Sequence, residues 1–67
     1  MLNIERAIDQ YKIECKKNGL TPKTVGRMEI DPWTKEHTLY SQSGETVAIL
    51  DPDGFVRTVV IQSGNAT

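Results

Sequence analysis

Sixty-seven residues with eight basic and nine acidic side chains, net charge −1, describe one small domain without the positive surplus that holds nucleic-acid backbones. One cysteine excludes an internal disulfide, and one cysteine with one histidine falls short of the four ligands usual for structural zinc. A chain this short, with no such staple, relies on its own core or on association with another chain.

The charge is slightly uneven. Residues 1 to 35 carry seven basic and five acidic side chains, a balance of +2, and residues 36 to 67 carry one basic and four acidic, a balance of −3. This mild polarity reads first as a solvated surface. The opening residues pass straight into charged amphipathic sequence, so no secretory leader is expected, and no apolar run approaches membrane-spanning length. A free thiol fits a reducing, cytoplasmic setting.

From residue 3 to residue 18 the pattern is helical. Ile4, Ile8, Tyr11 and Cys15 recur at steps of four, three and four with Ala7 beside them, which predicts one apolar stripe. Asn3 is placed to cap the start, Glu5 and Asp9 lie early, and Lys16 and Lys17 lie late, as the helix dipole favours. Gly19 predicts the stop, with Leu20 making the apolar contact of a Schellman-type cap and Pro22 barring continuation. Leu2 and Ile13 fall on the opposite side and read as scattered exposed aliphatics.

The stretch Asn18-Gly19-Leu20-Thr21-Pro22-Lys23-Thr24-Val25 resembles the turn between helices in the N-terminal, core-binding domain of tyrosine recombinases. The likeness covers these eight residues, and that family's catalytic arginines, histidine and tyrosine have no room in this chain. It implies a shared way of ending a helix and carries over no function. It also keeps open a short helical turn from Pro22, capped by Thr21, in place of a strand.

Beyond it the periodicity changes to two. Strands are expected over residues 24–31, 37–42, 45–51 and 55–62, with turns at Asp31-Pro32, Ser41 to Gly44 and Asp51 to Gly54. Glycines ten residues apart at 44, 54 and 64, and Gln-Ser-Gly at both 42–44 and 62–64, suggest regular antiparallel hairpins. The expected fold class is α+β: a single N-terminal helix packed on a three- to four-stranded antiparallel β-meander.

The last hairpin organises the rest. Asp51-Pro52-Asp53-Gly54 predicts a type I turn followed by a glycine bulge. Unbroken pairing from that turn sets Asp51 opposite Phe55, Leu50 opposite Val56, Ile49 opposite Arg57, Ala48 opposite Thr58 and Val47 opposite Val59. One face then holds Ile49, Val47, Val59 and Ile61, and the other Leu50, Val56, Ala48 and Val60. Both faces are largely apolar, yet one helix covers one face. The other face is therefore expected to find a partner or to stay partly wet.

Chemistry-bearing patterns are sparse. Asp51, Asp53 and Gly54 suggest the opening of a calcium loop, but Phe55 and Gln62 occupy positions that must ligate. Ser41 or Ser43, His37 and Asp51 supply triad residue types without a nucleophile elbow, and His37 reads as a surface or half-buried strand residue. Cys15 lies on the helix stripe and reads as a buried apolar residue. No phosphate loop, dinucleotide fingerprint or metal motif is present, so no catalytic residue, cofactor or metal is expected.

Trp33, the only tryptophan, either closes one end of the core or stands out as an anchor, and the small size of the chain favours the lid. The residues singled out for a protein interface are Trp33, Phe55, Arg57, Val59 and Ile61. They predict a small non-enzymatic interaction module that self-associates through the last edge strand or the uncovered sheet face. A nucleic-acid-associated regulator using Lys12, Lys16, Lys17, Lys23, Arg27 and Lys35 is the alternative, and a phage-like inhibitor of a host enzyme is a further one.

Overall fold

The computed structural model describes residues 3 to 60. Helix α1 spans Ile4–Lys17, and strands β1 (Val25–Ile30), β2 (His37–Ser41), β3 (Thr46–Leu50) and β4 (Val56–Val59) form one antiparallel sheet in the order β1-β2-β3-β4. This is the α+β arrangement expected, a helix packed on a meander. Each described strand boundary lies within one residue of its expected place, except that β4 ends at Val59; residues 61 and 62, assigned to that strand from sequence, lie outside the described residues.

The helix begins and ends where its chemistry dictates. The Asn3 side chain accepts a hydrogen bond from the Arg6 N–H at 2.9 Å, satisfying one of the free donors of the first turn. At the other end Gly19 adopts a φ of 69°, the Leu20 N–H donates to the Cys15 carbonyl at 2.8 Å, and the Gly19 N–H donates to the Lys16 carbonyl at 3.2 Å. Those two bonds are the Schellman pattern, and they deliver Leu20 onto the core. Thr21 to Thr24 then run without helix into β1, so the alternative of a helical turn from Pro22 is not adopted.

Ala7, Tyr11 and Cys15 form the buried stripe of α1; Ile8 is half-buried and Ile4 is exposed, so the stripe is centred on the i, i+4, i+8 set. The helix packs against β4, β1 and β2. Tyr11 does more than pack. Its hydroxyl oxygen accepts the Lys23 N–H at 2.9 Å, pinning the connection into β1, while burial pushes its phenol above the ordinary value despite that bond.

The sheet corrects the expectation of two apolar faces. Cross-strand partners share a side, and the observed register gives inner rows Ile30–His37–Leu50–Val56 and Met28–Leu39–Ala48–Val59, with Val25–Ser41 at the far end. The intervening outer rows are Glu29–Thr38–Ile49–Thr58 and Arg27–Tyr40–Thr46. Among the paired outer residues Ile49 is the single aliphatic.

Three irregularities produce this sorting, at Val25/Arg27, Leu39/Tyr40 and Ile49/Leu50. An extra residue in one strand breaks strict alternation and re-aims the side chains beyond it. Val47 and Ala48, neighbours that an unbroken strand would send to opposite faces, are therefore both buried. In β4 the extra residue is Arg57, so Ile49 pairs with Thr58 and Ala48 with Val59, one step from the unbroken register. The expected pairings of Asp51 with Phe55 and Leu50 with Val56 are retained next to the turn.

Candidate functional site

The two similar turns, Ser41 to Gly44 and Asp51 to Gly54, are built alike. In each the glycine N–H donates to the first residue's carbonyl, at 3.0 and 2.9 Å, and the first residue's N–H donates to the residue after the glycine at 2.7 Å. The glycines take φ values of 94° and 95°, a region closed to most side chains, which identifies the turn-plus-bulge geometry read from the sequence.

The turn from Asp31 to Glu36 is built differently. Asp31 Oδ1 accepts the Trp33 N–H at 2.7 Å and the Thr34 N–H at 3.0 Å, Thr34 Oγ1 accepts the Glu36 N–H at 3.2 Å, and Lys35 takes a φ of 67°. This bonding holds Trp33 away from the protein: it is 88% exposed. The lid reading of Trp33 is thereby overturned, and the core closes without it. Phe55, at the start of the last hairpin's return strand, is 65% exposed. A meander places the 31–36 and 51–54 turns at the same end of the sheet, so both aromatics stand there.

The Asp31 turn makes a pH prediction. The N–H groups of Thr34 and Trp33 hold its carboxyl below the ordinary 3.8. A depressed folded value means that the turn's contribution is present above the ordinary value and is lost as pH falls through the lower one. The amide signals of Trp33 and Thr34 should therefore titrate with an inflection below 3.8; an inflection at or above it contradicts the bonding described.

The remaining interface candidates separate. Arg57 is exposed and forms an ion pair with Glu36, tying the first hairpin's turn to β4 across the sheet. Val59 is half-buried and packs against the core, and Ile61 lies outside the described residues. Two grooves flank the place where α1 passes β4. One, of about 390 Å³, is lined by Tyr11, Cys15, Leu20, Pro22, Val59 and Val60 among others. The second, of about 350 Å³, is lined by Glu14, Asn18, Leu20, Val56, Arg57 and Val59. Sequence reasoning missed these grooves, because they depend on where the helix crosses the sheet.

The triad residue types are not assembled. His37 and Ser41 stand at opposite ends of β2, about 13 Å apart at the rise of an extended strand. Ser41 Oγ lies 2.9 Å from Ser43 Oγ and accepts the Glu45 N–H at 3.2 Å. His37 is 5% exposed, more deeply buried than expected, because it begins an inner row between Ile30 and Leu50. Its Nδ1 has no hydrogen-bond partner among the described residues. An unpartnered buried polar atom costs about 1–3 kcal/mol, so His37→Leu should raise the urea midpoint by the equivalent of about 1 kcal/mol after packing losses. A lower midpoint would show that the imidazole is bonded in solution.

Among the described residues no group of three or more His, Cys, Asp or Glu side chains is placed to hold a metal ion, and no helix is long and apolar enough to cross a membrane. Comparison of the chain with protein-family models, curated proteins and solved structures finds no match.

Proposed function

We propose that this chain is a non-enzymatic protein-interaction module of the cytoplasm that joins a second copy of itself through the outer edge of β4. The observation that carries the reading is that β4 is the last strand of the sheet among the described residues, directly beside the two grooves under α1. An added strand would meet the outward backbone groups of that edge, which pair with no other described strand, and set alternate side chains near Leu20 and Val59. Pairing two identical edges about a two-fold axis gives a closed assembly and removes the liability of an open edge. Arg57 is the only charge on β4 and is already engaged by Glu36. The broad outer sheet face, whose residues are mainly polar, enters this interface only through Thr58, the outward-facing residue of the edge strand itself, where a lysine would set like charges beside each other across the two-fold axis.

The buried free thiol of Cys15 suits a reducing compartment. Nucleic-acid binding has less support. Lys17, Lys23 and Arg27 lie 4.0, 3.9 and 3.3 Å from Glu14, Glu45 and Glu29, on the helix, the loop and the outer face respectively. Three of the six cations named for that reading are thus partnered and lie on separate elements, and Lys12, Lys16 and Lys35 add no continuous phosphate-tracking stripe.

Sedimentation velocity at micromolar concentration tests the proposal. The expected result is a dimer that the exposed-site change Thr58→Lys returns to monomer. A monomer at every concentration would overturn self-association. A monomer whose β4 amides become protected when an extended peptide is added would assign the edge to a different chain.

A further inference from the structure

The hairpin end of the sheet carries a second surface, separate from the edge of β4. Trp33 and Phe55 are its most exposed aromatics, and Ile30 beside them is 46% exposed. Their backbones lie about two strand spacings apart, roughly 10 Å. Among the described residues, the two turns at this end and the start of β4 carry Asp31, Glu36, Asp51 and Asp53 against Lys35 and Arg57, so the charge here is unbalanced. Glu36 and Arg57 neutralise each other, and Asp31 is occupied by its own turn. Asp51 and Asp53, next to Phe55, enter no side-chain hydrogen bond or ion pair among the described residues.

We propose that this end docks a cationic, partly apolar peptide segment, with Trp33 receiving an arginine or lysine over its ring and Asp51 and Asp53 receiving neighbouring positive charges. The face of an indole attracts cations, and a solvent-exposed ring with nothing stacked on it is open to one. Large exposed aromatics are costly to leave in water and recur as anchors of binding surfaces. The two carboxylates supply the selection, since they repel phosphate backbones and anionic membrane surfaces while attracting basic side chains.

Trp33 is its own reporter, being the only tryptophan. Its fluorescence is followed while a short peptide alternating arginine and leucine is added to the full chain, in low salt and again in raised salt. A saturable change that weakens with salt is expected, and Asp51→Asn with Asp53→Asn should weaken it about tenfold, the sum of two exposed charge contacts. Removing the same charge from the helix, with Glu5→Gln and Asp9→Asn, should leave affinity within about twofold. Thr58→Lys, at the edge of β4, should leave it unchanged, so failure of the dimer and failure of this site are distinguishable. Equal weakening by both charge-removing pairs, equal binding of a glutamine–leucine peptide, or a spectral shift on uncharged phosphatidylcholine vesicles matching that on the peptide would each overturn the assignment.

Discussion

Leu39→Ala is expected to remove about half or more of the stability of this fold, while Trp33→Ala, a larger deletion, is expected to leave it almost unchanged. Leu39 is fully buried in the row Met28–Leu39–Ala48–Val59. Truncating a buried leucine costs about 2–5 kcal/mol, because the lost transfer free energy is joined by that of the cavity left behind. A domain of this length has roughly 3–10 kcal/mol in total. Trp33 has little packing to lose, and exposed substitutions of this kind usually stay within about 0.5 kcal/mol. Urea unfolding should show a large drop in midpoint for the first variant and overlapping curves for the second. Comparable losses would mean that Trp33 closes the core after all.

Gly26→Ala should also be destabilising, by about 1–3 kcal/mol from overpacking, offset in part by about 0.4–1 kcal/mol from a stiffer unfolded chain. A methyl group at Gly26 would stand 2.8 Å from the Gln42 Cα, 3.1 Å from the Gln42 nitrogen and 3.1 Å from the Ser41 carbonyl oxygen. All three are backbone atoms, so relief requires β1 to move away from the β2–β3 turn. Gly26 also sits at the irregularity between Val25 and Arg27, and loosening it should speed hydrogen exchange in β1 before β3. A variant as stable as the parent would show that the two segments do not approach so closely in solution.

Most of the architecture was legible because local chemistry and tertiary packing agree. Asn3, Gly19 and Leu20 marked the helix ends, and the paired turns at Ser41 to Gly44 and Asp51 to Gly54 marked two of the three hairpins, since each signal acts over a few residues. The sorting of side chains onto faces was not legible. A register counted outward from a turn holds until the first bulge, and Arg57 lies two residues beyond Phe55. Past it the β3–β4 pairing shifts by one, and in β3 itself Val47 is an extra residue between the Leu39–Ala48 and Tyr40–Thr46 pairs, so Val47 and Ala48 are both buried where unbroken alternation sends them to opposite sides.

Trp33 was misjudged for a related reason. A large aromatic in a small chain suggests a lid when the core is assumed to need one, but Leu39, Val47, Leu50 and the α1 stripe fill the described core without it. Asp31-Pro32 marked a turn, but neither the bonding of Asp31 to the Trp33 and Thr34 amides nor the direction of the indole was legible there. The grooves beside β4 were beyond sequence reasoning, as they arise from the crossing of two elements distant in the chain.

The uncovered apolar surface lies at the hairpin end, and the broad outer face of the sheet is largely given to Arg27, Glu29, Thr38, Tyr40, Thr46 and Thr58. Quenching of Trp33 fluorescence in the dilute, folded, peptide-free protein measures this directly. The predicted result is an emission maximum at that of a free indole in water and quenching by neutral acrylamide as efficient as for the urea-unfolded chain. A blue-shifted emission shielded from acrylamide until the protein unfolds would place Trp33 inside, and the hairpin end would no longer be a surface for binding.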